Sequence, residues 1–198
     1  MKYILFLSLI IFSACSSVQV ETAGKTDMEI DQKRINLEKL ETMIIPLEAA
    51  GGNEARKQET EMASVRKMID ELFIGAAEVS EQTEHGSSDY LGKITAWSGR
   101  LAILEGRYSE AIRLYRQSQA LSSGNVPAVI LGIRLEGDPG MRLRLIEKEL
   151  ETSGQKGFGE LHIEKGRTLL EMGRYLDAAQ AFDAAFASGL ADVYRENY

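Results

Sequence analysis

The sequence of 198 residues is poor in cysteine, proline and histidine. A single cysteine excludes an intramolecular disulfide and any metal site built from several cysteines. Only three prolines are present to interrupt helices, and Leu, Ala, Glu, Lys and Arg dominate, as in helical proteins. The formal net charge of −7 disfavours nucleic acid, because phosphates would be repelled. We therefore expect an all-α protein that binds no nucleic acid.

Residues with catalytic potential are scattered along the chain rather than grouped. The two histidines, His85 and His162, match no metal-binding pattern, and we expect both at the surface or in loops. The acidic residues lie on amphipathic stretches, where carboxylates face solvent and pair with neighbouring bases. No pair of them sits in apolar surroundings, as general acid catalysis would need. We therefore expect a protein that is not an enzyme and uses no metal or cofactor.

The lone cysteine, Cys15, follows an apolar segment at the start of the chain. A lysine and the amino terminus supply positive charge, residues 3–12 are apolar with one exception, and small Ser13 and Ala14 precede Cys15. Ten residues are too few for a membrane-spanning helix, which takes roughly 20, and this length is typical of a signal peptide. The alternative is a plain secretory signal cleaved after Ala14, with an incidental cysteine.

This arrangement resembles the signal of bacterial lipoproteins, although Phe12 stands where that family prefers an aliphatic residue. The resemblance implies that residues 1–14 are removed and that Cys15 carries a diacylglycerol and a further acyl chain such as palmitate. Several acyl chains anchor a protein stably in a membrane, whereas one does not. Ser16 after the cysteine implies sorting to the outer membrane of the cell envelope. The mature chain loses one lysine, so its net charge is 22 − 30 = −8.

The next 74 positions divide into a tether and a predicted helical hairpin. Residues 15–26 are polar and small after the cysteine and lack periodicity, which predicts a flexible tether. Within residues 27–88, two apolar stripes at helical spacing flank the glycine-rich residues 49–53. We expect the second stripe, Met62 to Val79, to pack within the chain, and a coiled-coil dimer is the alternative. After a break at residues 84–89, Ser88 or Asp89 is expected to cap the next helix.

Residues 89–198 contain an internal repeat of about 34 residues. The segments GRYSEAIRLYRQS and GRYLDAAQAFDAA begin at Gly106 and Gly173, and their offset of 173 − 106 = 67 is close to twice 34. Two ladders of glycines repeat at steps of 33 or 34 residues: Gly99, Gly132 and Gly166, then Gly106, Gly140 and Gly173. We expect helix pairs that meet near the second set.

The repeat resembles the tetratricopeptide repeat (TPR), a helix–turn–helix unit. In that family a small residue marks the helix crossing, a turn glycine follows, and large rings fill the gaps between helices. The matching residues of the second helices are Tyr108, Ala111, Tyr115 and Ser118, and Tyr175, Ala178, Phe182 and Ala185. The middle unit is degenerate: Arg142, Leu145 and Glu149 replace three of these residues, although Pro139 suits a helix start.

The resemblance implies a short right-handed α-solenoid of antiparallel helix pairs. Its units would cover about residues 92–125, 126–158 and 159–191, followed by a short C-terminal tail. Residues 27–88 are either a further unit or a separate hairpin.

Solenoids of this kind usually bind proteins or peptides on a concave side lined by the first helices. The resemblance therefore implies a periplasm-facing scaffold or adaptor in an envelope complex. Its partner-binding positions are Trp97, Arg100, Val129, Ile133, Glu164 and Arg167. The alternative function is binding of a small hydrophobic ligand for envelope transport, which needs a closed apolar cavity.

Three of these positions have a second interpretation. Arg100 and Arg167 are expected to contact a partner carboxylate, since arginine suits bidentate pairing. Otherwise they form surface ion pairs, for example with Glu105 or Glu171. For Trp97 we favour core packing over an exposed binding platform.

Overall fold

A computed structural model of the protein describes residues 31–48, 55–79, 84–152 and 158–188. Every regular element within these ranges is an α-helix, as the composition predicts. The predicted signal peptide, Cys15, the tether, the glycine-rich break and the C-terminal tail lie outside these ranges. The eight helices are α1 (31–48), α2 (Ala55–Val79), α3 (Glu84–Leu104), α4 (Tyr108–Leu121), α5 (Val126–Leu135), α6 (Pro139–Thr152), α7 (Phe158–Glu171) and α8 (Tyr175–Ala187).

The chain divides into two units, residues 1–39 and 40–198. The described part of the first unit is the helical stretch 31–39. There Arg34 pairs with Asp31 at 3.4 Å and with Glu38 at 3.9 Å, and all three side chains are about two-thirds exposed. Such exposed pairs stabilise a helix by well under about 1 kcal/mol.

In the second unit, the predicted apolar stripes are buried. Residues 40–48 of α1 bury Leu40, Ile44 and Leu47, and α2 buries Val65, Ile69, Leu72 and Ala76. Helix α2 packs against α3, so its stripe is covered within the chain, as the intramolecular prediction requires. The side chain of Val79 lies outside the described set.

Two of the helix pairs are joined by the same glycine turn. Gly106 and Gly173 have φ of +72° and +73°, a conformation that disfavours residues with a Cβ. After each glycine, the next main-chain N–H donates back to the carbonyl five residues earlier, Arg107 to Ala102 and Arg174 to Leu169, both at 2.8 Å. This pattern satisfies the last carbonyls of α3 and α7 and turns the chain sharply.

The middle turn is built differently. Helix α6 starts at Pro139, as predicted, and the Asp138 carboxylate caps it by accepting from the Met141 N–H at 2.6 Å. Gly140 therefore lies in the first turn of the helix, outside the left-handed region that Gly106 and Gly173 occupy. The predicted turn exists near this glycine, but an aspartate and a proline make it.

The glycines of the first ladder lie where helices approach closely, as predicted. The helix that each glycine approaches differs from one unit to the next. A Cβ on Gly166 would lie 2.4 Å from the ring of Phe182 in its partner helix α8. A Cβ on Gly132 would lie 2.8 Å from the ring of Tyr115, which belongs to the preceding pair. A Cβ on Gly99 would lie 2.4 Å from Leu131 of the following pair. The three glycines thus serve contacts both within and between pairs.

Other details of the sequence prediction are wrong. Tyr108 and Tyr175 are 58% and 71% exposed, so these rings do not fill gaps between helices. Helix α3 begins at Glu84 rather than at Ser88 or Asp89. Instead of capping, Asp89 accepts a 2.6 Å hydrogen bond from the Ser122 hydroxyl at the end of α4.

The core of the second unit runs through successive helices. One apolar cluster joins α3, α4 and α5, a second joins α5, α6 and α7, and a third joins α6, α7 and α8. Small residues make the close packing possible, and Ala111, Ser118, Ala178 and Ala185 are fully buried. This packing places the first helices α3, α5 and α7 side by side.

Candidate functional site

The first helices α3, α5 and α7 carry a group of charged side chains that face the end of α1. We call this surface the first-helix face and define it by Arg100, Arg134, Glu160, Glu164 and Arg167. Helix α3 packs on α5, and α5 packs on α7, so the five side chains meet although they are spread over 68 positions of sequence. Glu48 at the end of α1 completes the group.

Arg100 is the centre of the group. Its Nε donates to Glu48 Oε1 at 2.8 Å and its Nη2 to Glu48 Oε2 at 2.5 Å. Its Nη2 and Nη1 also donate to the two carboxylate oxygens of Glu160, at 2.8 and 3.3 Å. The guanidinium is 0% exposed. One buried arginine therefore holds two carboxylates, each through two hydrogen bonds, and this geometry suits the planar fork of arginine.

Arg134 and Arg167 extend the group along α5 and α7. Arg134 forms an ion pair with Glu48 and donates from Nε and Nη2 to Glu164 Oε1 at 3.0 and 2.6 Å. Arg167 donates to the same Glu164 oxygen at 2.8 Å and to the main-chain oxygen of Glu48 at 3.2 Å. Glu48 thus contacts one arginine from each of the three first helices.

The arginines keep the carboxylates of Glu48 and Glu164 ionised. Burial alone would raise the pKa of Glu48, but Arg100 and Arg134 outweigh it and lower the pKa to about 2. At Glu164 burial would also raise the pKa, but Arg134 and Arg167 outweigh this effect, so the pKa is lowered. Burial would lower the pKa values of Arg100 and Arg134, but the neighbouring carboxylates raise both. A proton-transfer catalyst needs a pKa near the working pH, so this arrangement suits recognition of charge.

Trp97 lies beneath the group and belongs to the core. It is 2% exposed, and the guanidinium of Arg100 sits 4.0 Å from its ring centroid. This geometry is a cation–π contact. Core packing of Trp97, the favoured prediction, is confirmed.

Two apolar positions of the predicted site lie nearby on α5. Ile133 is buried, and Val129 is half-buried against the cluster that joins α5, α6 and α7. Val129 also lines a solvent-open cleft of about 200 Å³ together with Val126, Ile130, Glu149 and Leu161.

The six predicted partner-binding residues are thus brought together only in part. Arg100, Glu164 and Arg167 meet in one network, Trp97 supports it, and Val129 and Ile133 pack in the apolar layer beside it. Arg100 is paired with Glu48 and Glu160 instead of Glu105, and Arg167 with Glu164 instead of Glu171. Among the six, Trp97, Arg100, Ile133 and Glu164 are buried by the protein itself, so they do not form an open groove in this conformation. Their role in partner binding stays a prediction.

Half of the network was missed from the sequence: Glu48, Arg134 and Glu160. A signal was present, because Glu48 and Arg134 each lie four residues after a buried isoleucine, Ile44 and Ile130, and therefore fall on the apolar side of a helix. A charged residue on the apolar side of a helix destabilises the fold unless it is paired. The partners are far apart in sequence, so the pairing itself carries no local signal.

The two histidines were the other candidate residues of the sequence. His162 is half-buried in α7, where burial and then Lys165 lower its pKa. His85 was expected in a loop, but its backbone is helical, in the first turn of α3. Over the described ranges, no three His, Cys, Asp or Glu residues are grouped as a metal site. In the same part of the chain, no helix has the length and apolar character needed to cross a membrane.

Comparison of the chain with known protein families, with curated proteins and with solved structures found no match.

Proposed function

We propose that this protein is a lipid-anchored scaffold of the bacterial cell envelope that binds a partner protein or peptide through a TPR-like α-solenoid. The anchor rests on Cys15 and the signal-like residues before it. The solenoid rests on three helix pairs at the predicted repeat spacing, with Gly106 and Gly173 in equivalent turns. The sequence favours attachment to the outer membrane with the folded part in the periplasm.

The observation that carries the proposal is the binding of one residue of α1, Glu48, by three successive helix pairs. Arg100, Arg134 and Arg167 come from three different first helices and converge on Glu48. A surface that holds a glutamate of another helix through charge-assisted hydrogen bonds from several repeats has the chemistry of a peptide-binding surface.

The alternative function, transport of a small hydrophobic ligand, predicted a closed apolar cavity. The cleft beside Val129 is open to solvent, has a volume of about 200 Å³ and includes Glu149 in its lining. Small-molecule sites usually enclose roughly 300–1,000 Å³. This cleft of the described residues is therefore not the closed apolar cavity that a ligand carrier needs.

Site-specific photocrosslinking in intact cells tests the proposed function. A photoreactive amino acid at Val129, a predicted partner-binding position that lines the open cleft on α5, should capture one or a few envelope proteins. The matched control is the same amino acid at Gln117, an exposed position of α4. Identical capture at both positions, or none at Val129 in a chain with unchanged melting, would contradict the scaffold.

A further inference from the structure

The first-helix face by itself carries an excess of positive charge. Arg100, Arg134 and Arg167 contribute three charges and Glu160 and Glu164 remove two, so the balance is 3 − 2 = +1. Glu48 supplies the missing negative charge. A buried guanidinium without compensation is strongly unfavourable. Any segment that covers this face therefore has to bring a carboxylate.

The face also binds the backbone of α1 at Glu48, directly before residues 49–53, where the sequence predicts a break in the helix. The last carbonyls of a helix have no partner within it and carry the negative end of the helix dipole. Arg167 donates to the main-chain oxygen of Glu48, while Arg100 and Arg134 bind its carboxylate. The three arginines thus bind a main-chain oxygen and an acidic side chain together.

Residues 40–48 have the features of a bound helical peptide. Their apolar side chains Leu40, Ile44 and Leu47 are buried, and Glu48 follows directly as the charged end. Pro46 lies in the last described turn, where it removes a main-chain donor and disfavours a helix. Local propensity therefore does not favour this turn, and the contacts of Glu48 hold it in place.

We propose that the first-helix face is the binding site for an amphipathic helix of a partner protein that ends in a glutamate, and that residues 40–48 occupy this site in the free protein. This inference rests on the proposed function. The partner helix has apolar residues at the positions of Leu40, Ile44 and Leu47, followed by the acidic residue. Its carboxylate replaces that of Glu48, so every arginine is paired again after the exchange. The protein's own segment competes with the partner and lowers its apparent affinity.

A synthetic peptide of residues 36–48 is the probe for this site. Both ends are blocked, so that the only carboxylate at its end is the Glu48 side chain. The matched control peptide carries Glu48→Gln. Both are titrated into the full chain in mild detergent and into its Glu48→Ala variant, after circular dichroism has shown equal helicity. Labelled peptide reports binding, and the emission of Trp97, the single tryptophan, reports changes beneath Arg100.

A carboxylate on the peptide should strengthen binding, whereas the Glu48 carboxylate of the chain itself should weaken it. We expect the Glu48→Ala chain to bind the acidic peptide at least about thirtyfold more tightly than the Gln peptide, as for loss of a buried charge pair at an interface. We expect the unaltered chain to bind the acidic peptide at least about tenfold more weakly than the variant does, because its own segment competes. Equal binding of the two peptides, equal binding to the two chains, or no binding to a folded variant would overturn the inference.

If the variant does not fold, the unaltered chain carries the test. Peptide at about 1 mM, a concentration comparable to that of a linked segment, should raise hydrogen exchange in residues 40–48 by about tenfold and leave α5 unchanged. No change in residues 40–48 would overturn the inference. A dimer of the unaltered chain at micromolar concentration that exchanges these residues between copies would overturn the intramolecular part.

The outcome is separable from that of the proposed function. Peptide binding with no crosslinked partner at Val129 would reject the scaffold role while keeping the helix-binding site. A crosslinked partner without peptide binding would keep the scaffold and reject the self-occupied site.

Discussion

At the residue scale, Glu48 is the central acidic residue of the network. It is the one carboxylate of the network outside α3, α5 and α7, and it contacts Arg100, Arg134 and Arg167. Its side chain is 1% exposed, so solvent does not screen these interactions. Removing one partner of a buried ion pair is far more costly than removing a surface charge, because the other partner stays buried without compensation.

Glu48 should make the stability of the protein depend on pH. Its pKa is about 2 in the folded protein against an ordinary value of 4.5. Its contribution is therefore complete above the unfolded pKa and disappears as the pH falls from about 5 to about 2. The size is on the order of 3 kcal/mol. Urea unfolding of the unaltered chain and of Glu48→Gln should differ by about this amount at pH 6, and the difference should shrink toward zero near pH 2.

The control for this measurement is Glu38→Gln. Glu38 is an exposed carboxylate of residues 31–39 with one long ion pair to Arg34 at 3.9 Å. The same loss of charge there should change the unfolding free energy by less than about 0.5 kcal/mol at any pH. A Glu48→Gln effect that is equally large at pH 6 and pH 3 would show that the ionised form is not what the network stabilises.

At the element scale, glycine has two unrelated uses in these helices. Gly106 and Gly173 end α3 and α7 in a left-handed conformation. Gly99, Gly132 and Gly166 lie inside helices, where a side chain would collide with the neighbouring helix. Helical glycine is unfavourable in itself, so these contacts are what make it the better residue there. Gly75 of α2 is different, because a Cβ there would meet nothing within 4 Å.

Alanine substitutions at two helical glycines should therefore have opposite effects. Gly166→Ala places a Cβ 2.4 Å from the Phe182 ring and should destabilise the protein by about 1–3 kcal/mol through overpacking. Gly75→Ala should stabilise it by about 0.5–1 kcal/mol through helix propensity. Urea unfolding of both variants measures the two values.

The Gly166 result has its own check in a double variant. Phe182→Ala removes the ring that the new Cβ would meet, so Gly166→Ala should cost little in that background. A full penalty in the double variant would mean that the helices do not approach closely at this point.

At the scale of the whole molecule, the proposed anchor and the folded unit have separate tasks. The anchor depends on Cys15, which lies outside the described residues, whereas the first-helix face belongs to residues 40–198. The chain carries 23 lysines and arginines against 30 aspartates and glutamates, so it is acidic overall. Three of these positive charges, all arginines, nevertheless lie together on the first-helix face.

Cys15→Ser should separate these tasks. In the proposed lipoprotein, this change removes the only thiol that can be lipidated, so the protein should remain an unprocessed precursor or leave the detergent-rich phase. Folding of residues 40–198, followed by circular dichroism and melting, should not change. Ser17→Ala, two positions on, should be processed and anchored normally. A Cys15→Ser chain that is cleaved and still partitions with membranes would reject the anchor.

The sequence by itself determined that the described residues are helical and where several of the helices meet. Apolar spacing located α1 and α2, and the glycine ladders located the turns near residues 106, 140 and 173, because both signals are local. The start of α3 was misplaced because the sequence GSSD favours a turn only when its polar side chains hydrogen-bond to the nearby backbone. Here Asp89 binds Ser122 at the end of α4 instead.

The pairing within the candidate site was decided by the tertiary structure alone. Arg100 and Arg167 stood out in sequence by their phase after a glycine, and a carboxylate was expected opposite them. For Arg100 that carboxylate belongs to Glu48 of the same chain, 52 residues earlier, whereas Arg167 pairs with the carboxylate of Glu164. No local pattern links Arg100 to Glu48, because a buried ion pair between helices depends on how the helices stack rather than on the spacing of residues within one helix. Packing of α3, α5 and α7 side by side is what turns three separate arginines into one charged surface.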